Sequence, residues 1–191
     1  AEQVREFFVS KDGRDYRMQI KPVTVEELTQ DSEMIEVQPG QFSMLAVYLM
    51  DITELNSYVR KNQEEKLITG LVYIDNYEEA MESVDEVRRS LLTALIERRI
   101  NKYFLSYDAI VKKLEKDKFF VVMQKKTLTN LQQKKFDILE EVKAVNIGND
   151  MSVTLSIGVG ENAPTLIQNN DDARVAIELA LGRGGDQVVV K

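Results

Sequence analysis

Two short β-prone runs separated by one charged turn constrain the fold of this chain more than any other feature. The runs are residues 109–114 and 119–123, and the four residues between them, 115–118, are all charged. A connection of this length between two such runs is typical of a β-hairpin. Apolar strand-like runs and amphipathic segments alternate on both sides of it. The sequence therefore predicts a hairpin built into a sheet that helices cover.

The rest of residues 67–191 is predicted to complete the order β-α-β-β-α-β-α-β. Besides the hairpin, the predicted strands are 67–75, 153–159 and 187–191, and the predicted helices are 83–101, 128–145 and 171–181. The first helix is predicted from an apolar side at helical spacing, made of Val84, Val87, Leu91, Leu95 and Ile96. This order indicates an α+β domain with a central mixed sheet flanked by helices.

Residues 1–52 have a different pattern, which predicts an antiparallel β meander. Short strand-like runs lie at 6–9, 16–21, 34–37 and 42–49, and Asp12-Gly13 is a strong reversal signal between the first two. About four strands bury too little apolar surface to form a stable core alone, so we expect the rest of this domain to lie upstream. Residues 53–66 then form a polar helix that Thr53 can cap. This helix is either a solvated linker or a dimer-forming helix that passes a sensor state onward.

The composition excludes several classes of chemistry. The chain has no Cys and no His, which excludes disulfides, thiolate zinc sites, cysteine nucleophiles and Ser-His-Asp triads. Any bound metal is expected to be an oxygen-liganded ion such as Mg²⁺ or Mn²⁺. The net charge of −7 argues against nucleic-acid and anionic-membrane binding. No apolar run approaches the roughly 20 residues that span a bilayer. The N-terminus does not resemble a signal peptide, so we expect a cytoplasmic piece of a longer protein.

The arrangement around the hairpin resembles the GGDEF (diguanylate cyclase-like) domain. An active member has Gly-Gly-Asp-Glu-Phe at the hairpin turn, whereas this chain has Glu115, Lys116, Asp117, Lys118 and Phe119 there. The paired glycines, which allow a backbone to approach phosphate closely, are absent, and one carboxylate is replaced by lysine. The resemblance implies a retained scaffold without cyclase machinery, and a working diguanylate cyclase is the least expected function.

The resemblance also suggests which residues remain for nucleotide chemistry. Active cyclases hold Mg²⁺ with the first Asp of an Asp-x-Asp motif at the end of the first strand, where this chain has Tyr73 and keeps only Asp75. A phenol is a poor Mg²⁺ ligand. We take Asp75 and Asp117 as candidate metal ligands, Asp117 as the candidate catalytic residue, and Asp75, Lys116 and Lys118 as candidate nucleotide-binding residues. The alternative is that these are loop aspartates without a partner and ordinary surface lysines.

Three further segments narrow the resemblance to one family. They read Tyr-Ile-Asp-Asn-Tyr at 73–77, Leu-Ser-Ile-Gly-Val-Gly at 155–160 and Ala-Leu-Gly-Arg-Gly-Gly-Asp-Gln at 180–187. They resemble the degenerate GGDEF domain of the GdpP/YybT cyclic di-AMP phosphodiesterases. In the last segment we expect Gly182 to cap a helix and the next two glycines to form a turn, in preference to a phosphate-binding loop.

The same family suggests a division of the chain. The letters Asp51-Ile52-Thr53 after a strand resemble the exit of a PAS sensor domain into its signalling helix. We therefore assign residues 1–52 to the C-terminal part of a PAS-like domain, 53–66 to a linker helix and 67–191 to a degenerate GGDEF domain.

The family resemblance implies a regulatory role in cyclic dinucleotide signalling. Members are membrane-anchored, with a PAS domain, a degenerate GGDEF domain and DHH domains that hydrolyse cyclic di-AMP with Mn²⁺. We expect this chain to be the cytoplasmic regulatory portion of such a cell-membrane protein, without direct membrane contact. It would form a homodimer and relay sensor state to the DHH domains that it lacks.

Two alternatives remain, and both involve a nucleotide. The family's degenerate GGDEF domain is associated with slow ATP hydrolysis, so one alternative is a weak ATPase that uses Mg²⁺ or Mn²⁺ with ATP. The other is a catalytically dead nucleotide receptor. The family's PAS domain binds haem, but a chain without His or Cys is not expected to do so.

Overall fold

A computed structural model describes residues 4–23 and 44–191, and the chain divides into two compact units, residues 1–62 and 63–191. In the first unit, the described strands are β1 (Arg5–Lys11), β2 (Arg14–Val23) and β3 (Met44–Asp51). The helix α1 (Thr53–Glu65) follows them and runs across the boundary between residues 62 and 63. The strands form an antiparallel sheet in the order β1-β2-β3. The strand predicted at 34–37 lies outside the described residues.

The turn between β1 and β2 confirms the predicted reversal. Asp12 and Gly13 both have positive φ, at 51° and 75°. Two consecutive residues with positive φ form the type I′ turn that matches the natural twist of a hairpin, and Asp-Gly is a preferred pair for it. The turn sets the register, in which Lys11 pairs with Arg14.

The second unit is a five-stranded sheet with helices on both faces. Its elements are β4 (Leu67–Ile74), α2 (Tyr77–Glu82), α3 (Glu86–Leu105), β5 (Ile110–Lys113), β6 (Lys118–Gln124), α4 (Lys125–Gln133), α5 (Ile138–Lys143), β7 (Leu155–Gly160), α6 (Leu166–Gly182) and β8 (Val188–Val190). The strand order is β5-β6-β4-β7-β8, antiparallel except for the parallel pair β7–β8. The predicted mixed sheet and α+β class are confirmed.

The central strand β4 supports packing on both faces of this sheet. Ile68 and Val72 of β4 belong to the main buried cluster, which also contains the inward residues of α3 and α5. Leu71, on the opposite face, belongs to a second cluster with Ala173 and Ile177 of α6. Because successive side chains of a strand point to opposite faces, one apolar run supports both helical layers.

The prediction for the inward side of α3 is wrong at two positions. Val87 is 82% exposed and Leu91 is 51% exposed, although both were assigned to the apolar side. The fully buried row is Leu92, Ile96, Ile100 and Phe104. This row extends past the predicted helix end at residue 101, and its larger side chains, spaced four apart, bury more apolar surface than the predicted side does.

The helix predicted at 128–145 is in fact two helices, α4 and α5. The chain breaks at Lys135 and Phe136, which both have positive φ, at 56° and 51°. Both Phe136 and Ile138 are buried. In a continuous helix these two residues would lie about 200° apart around the axis, so they could not both face the core. The break allows both side chains to be buried.

The helix α6 packs closely on β7, and two glycines of β7 make this possible. A Cβ added at Gly160 would lie 1.9 Å from the backbone oxygen of Asn169, and one added at Gly158 would lie 2.4 Å from the backbone nitrogen of Ile177. Only glycine leaves this space, because the obstructing atoms belong to the helix backbone and cannot rotate away.

We expect Gly158→Ala and Gly160→Ala each to lower the free energy of unfolding by about 1–3 kcal/mol or more, because α6 must move off the sheet. Urea denaturation of each variant measures this change. Gly182→Ala is the matched control, since nothing lies within 4 Å of a Cβ added at that helical position. Its stability should be unchanged or higher by up to about 1 kcal/mol. Equal stability of all three variants would contradict this account of the helix–sheet contact.

Candidate functional site

The tip of the β5–β6 hairpin lies beside the end of β4. Tyr73 pairs with Lys118 across the two strands, and the Ile74 backbone N–H donates a 2.9 Å hydrogen bond to the Asp117 carbonyl oxygen. Within the turn, the N–H of Leu114 donates to the Lys118 carbonyl oxygen at 2.9 Å. The turn predicted to carry the chemistry is therefore held against the strand end that carries Tyr73 and Asp75.

Lys118 contacts two side chains near the tip of the hairpin, those of Glu115 and Tyr73. Its Nζ donates to Glu115 Oε2 at 2.8 Å and lies 5.5 Å from the centroid of the Tyr73 ring. The hydrogen bond to Glu115 raises the pKa of the Lys118 ammonium above its ordinary value. Tyr73, which stands where active cyclases have a metal-binding Asp, therefore has its aromatic ring next to the Lys118 ammonium.

Lys116 is directed to different partners. It forms an ion pair with Glu78 of α2, and its Nζ lies 5.5 Å from the centroid of the Tyr77 ring. The hydrogen bond to Glu78 is the main cause of a raised pKa of Lys116. The structure therefore does not bring the two lysines to one shared group, and each is paired with a carboxylate of its own.

A cavity of about 510 Å³ lies between the hairpin, β4 and α6. Lys118, Glu115 and Tyr73 line one side of it. The polar lining from α6 consists of Asn170, Arg174 and Glu178, and the apolar lining includes Leu71, Phe120 and Ile177. These three polar residues of α6 were not among the predicted site residues. Their spacing of four residues, which places them on one side of the helix, was the available signal.

Asp75 is held by the glycine-rich turn between α6 and β8. Its Oδ2 accepts a 2.8 Å hydrogen bond from the Asp186 backbone N–H. A Cβ added at Gly185, where φ is 75°, would lie 2.8 Å from the same carboxylate. Gly184 also has positive φ, at 102°. The expectation of a turn at these glycines is confirmed, although Gly182 is still helical and Arg183 is the C-cap.

An ion pair links the same turn to α5. Lys143 Nζ lies 2.5 Å from Asp186 Oδ2 and 2.9 Å from Glu140 Oε1. The hydrogen bond to Asp186 is the main cause of a raised pKa of Lys143. Oδ1 of Asp75 and Oδ1 of Asp186 are buried and have no hydrogen-bond partner in the described part of the chain.

The geometry around Asp75 and Asp117 does not amount to a preformed metal site. Asp75 has one oxygen occupied by the Asp186 N–H, and Asp117 is placed through its backbone oxygen. Within residues 4–23 and 44–191, no three potential ligand side chains converge in a geometry that would hold a metal ion.

A network of hydrogen bonds in the first unit fixes the start of α1. Asp15 N–H donates to Thr53 Oγ1 at 2.9 Å, and Thr53 Oγ1 donates to Asp51 Oδ1 at 2.6 Å. Asn56 Nδ2 donates to Asp15 Oδ2 at 2.9 Å. Hydrogen bonds from Ser10 and Asn56 lower the pKa of the Asp15 carboxyl. The helix begins at Thr53, next to the β1–β2 hairpin.

We expect Asp75→Ala to lower the free energy of unfolding by about 1–3 kcal/mol, because the Asp186 N–H loses its acceptor. Asp75→Asn keeps a carbonyl oxygen in that place and should lose clearly less. Chemical denaturation measures both values. Asp171→Ala, at an exposed position, is the control for removing a carboxylate. If Asp75→Ala were as stable as this control, the proposed hold on the turn would be wrong.

Solved structures place the second unit in a known fold class. The chain is similar to the GGDEF domain of DgcB from Caulobacter crescentus in complex with c-di-GMP, with a TM-score of 0.57 and 14% identity over 72% of this chain and 83% of that one. It is also similar to the FimX GGDEF domain from Pseudomonas aeruginosa, with a TM-score of 0.54 and 18% identity over 72% and 90% of the two chains. The class is therefore that of proteins with a GGDEF fold.

Sequence comparison then identifies the family. A family model described as "Cyclic-di-AMP phosphodiesterase GdpP-like, GGDEF domain" matches residues 72–191, and this chain belongs to that family. It is 32% identical, over 84% of its length, to cyclic-di-AMP phosphodiesterase GdpP of Geobacillus thermodenitrificans, and 34% identical, over 76%, to cyclic-di-AMP phosphodiesterase PdeA of Listeria monocytogenes.

The match covers only part of each relative. The chain spans 25% of the Geobacillus protein and 22% of the Listeria protein. A further relative, at 30% identity over 75% of this chain and 17% of its own length, is the membrane protein–large ribosomal subunit bL9 fusion protein of Aster yellows witches'-broom phytoplasma. In the described part of this chain, no helix has the length and apolarity needed to cross a membrane.

Proposed function

We propose that this chain is the regulatory PAS-like and GGDEF portion of a membrane-anchored cyclic di-AMP phosphodiesterase, and that it relays sensor state to a DHH phosphodiesterase domain. The observation that carries the proposal is the hairpin. In a GGDEF scaffold, the catalytic turn is replaced by Lys116 and Lys118, each paired with a carboxylate of the protein. A domain that keeps its scaffold and loses its catalytic groups is suited to binding or relay.

The family membership supports the assignment of substrate. Relatives named as cyclic-di-AMP phosphodiesterases are about four times longer than the matched region, which leaves room for separate catalytic domains. The relative named as a membrane protein supports the proposed membrane anchor. The phosphodiesterase chemistry is assigned to residues outside this chain.

The helix α1 is the proposed element of the relay. It runs for 13 residues, about 20 Å, and only Lys66 separates its end from the first residue of β4. Leu55, Tyr58 and Val59 are exposed on it. Their spacing of three and four residues is the spacing of a helix–helix seam, which supports the proposed homodimer.

Loosening the start of α1 should weaken the relay. We expect Asp15→Asn, made in the full-length parent protein, to reduce the response of cyclic di-AMP turnover to the sensor ligand several-fold, because the substitution weakens the contacts of Asp15 with Ser10, Asn56 and Arg60. A turnover assay with and without the sensor ligand measures this response.

The matched control is Asp12→Asn in the same hairpin, whose φ of 51° an Asn tolerates well. It should leave the response unchanged. The relay proposal is rejected if removing residues 1–66 from the full-length protein leaves both turnover and its ligand response unchanged.

The second candidate function is nucleotide binding, with slow metal-dependent ATP hydrolysis. The cavity beside the hairpin favours it, because Lys118 and Arg174 line the same space and both side chains suit phosphate recognition. Mg²⁺ or Mn²⁺ would enter with the phosphates of ATP, since the described residues form no metal site alone. Asp75 and Asp117 remain the proposed metal ligands, and Asp117 remains the proposed catalytic residue. Neither lines the cavity, so this candidate requires the metal to lie outside the lining, between the phosphates and these two carboxylates. Without turnover, the same cavity would serve as a nucleotide receptor.

Substitution at the cavity tests this second candidate. We expect Lys118→Gln and Arg174→Gln each to weaken ATP affinity about tenfold, the scale of one lost charge-assisted hydrogen bond. Lys116→Gln should have little effect, because Lys116 does not line the cavity. Isothermal titration with ATP, with and without Mn²⁺, measures the affinity, and phosphate release measures hydrolysis. If Asp117→Ala hydrolyses ATP as fast as the wild type, Asp117 is not the catalytic residue. If the wild-type protein gives no binding heat with ATP, the nucleotide-binding candidate is rejected and the relay is the proposal that stands.

A further inference from the structure

A second cavity, larger than the one beside the hairpin, lies along the C-terminal half of α3. It has a volume of about 690 Å³, within the usual range for small-molecule sites. One side is formed by Leu95, Arg98, Arg99 and Lys102 of α3, and the other by Glu141 and residues 144–147. It shares no lining residue with the hairpin cavity. Nothing in the relay or in the hairpin chemistry uses it.

The lining of this cavity is strongly positive, although the chain as a whole carries a net charge of −7. Three cationic side chains line it against one carboxylate. That carboxylate, Glu141, is paired with Arg99 at 3.2 Å. In the described part of the chain, Arg98 and Lys102 have no carboxylate within ion-pair distance. A local excess of two positive charges therefore remains in the groove.

Helix energetics alone do not account for this excess. The C-terminal end of a helix attracts cations, and Lys102 lies in the last turn of α3. Arg98 lies about two turns before the end, where that effect has faded. Arg98 and Lys102 are four residues apart, so their like charges oppose the helix slightly. A ligand of opposite charge would turn this unfavourable pair into a favourable site.

We propose that this groove binds a small organic phosphate with at least two negative charges. Arg98 and Lys102 supply the charge-assisted hydrogen bonds to the phosphates, and a guanidinium suits phosphate geometry particularly well. The side-chain oxygen of Asn146 accepts the Gly148 N–H at 2.8 Å, which leaves the NH₂ group of Asn146 as a further donor. Leu95, Val145 and Ile147 provide apolar surface for the organic part of the ligand.

The test uses inorganic pyrophosphate as the probe, titrated into the 191-residue protein at about 50 mM salt, where charge interactions are weakly screened. We expect saturable binding to the wild-type protein. The Arg98→Gln, Lys102→Gln double variant should bind at least about tenfold more weakly, because two charged donors are lost. Both side chains are exposed, so the variant should unfold at nearly the same temperature as the wild type.

Two matched variants separate this site from the proposed nucleotide cavity. Lys118→Gln should weaken pyrophosphate binding much less than the double variant does, because Lys118 does not line the groove. Glu141→Gln should increase the affinity several-fold by removing the carboxylate from the lining and releasing Arg99. In the Lys118→Gln protein, ADP should bind more tightly than pyrophosphate, because its adenosine part contacts the apolar residues of the groove.

The proposal is overturned if wild-type protein shows no saturable pyrophosphate binding. It is also overturned if the double variant binds as well as the wild type, or if Lys118→Gln causes the larger loss. Failure of the hairpin cavity to bind ATP would not affect it, since the two sites share no residue.

Discussion

The position of β4 between β6 and β7 is the constraint on which the second unit depends. Its backbone pairs with both neighbours over almost its whole length, and its side chains supply the core on both faces of the sheet. Because β6 belongs to the hairpin and β7 pairs with β8, the segments attached to both neighbours lie near the end of β4. The hairpin tip reaches it from one side through Asp117, and the glycine turn reaches it from the other side through Asp75. The site is a consequence of strand order.

The charged side chains near the end of β4 have partners within the protein. Lys116 and Lys118 are each paired with an acidic neighbour, so their positive charges are balanced within the protein. Asp75, the carboxylate shared with active cyclases in the resemblance, now accepts the Asp186 N–H. These three side chains all have partners within the protein, and a nucleotide that bound there would have to compete with them. Such competition suits a weak or regulatory site.

The two cavities differ in how much ligand charge they can accept. In the hairpin cavity, Lys118 and Arg174 face two carboxylates, Glu115 and Glu178. In the groove along α3, three cations face Glu141 alone. The groove is therefore the more suitable of the two for an anion without a metal, whereas the hairpin cavity needs a cation to accompany a triphosphate.

The sequence by itself determined the order of the strands of the second unit along the chain, the hairpin, the mixed sheet, the turn at Gly184 and Gly185 and the loss of the cyclase residues. These features depend on local periodicity and on glycine, which act over a few residues. Only the tertiary structure decided which side of α3 is buried, where the helix after the hairpin breaks, and that Asp75 bonds a residue 111 positions away. Each of these depends on competition between surfaces for the same core, or on contacts between residues far apart in the chain. The local sequence pattern does not reveal which side of a helix is buried, because burial depends on how all the elements of the unit pack together.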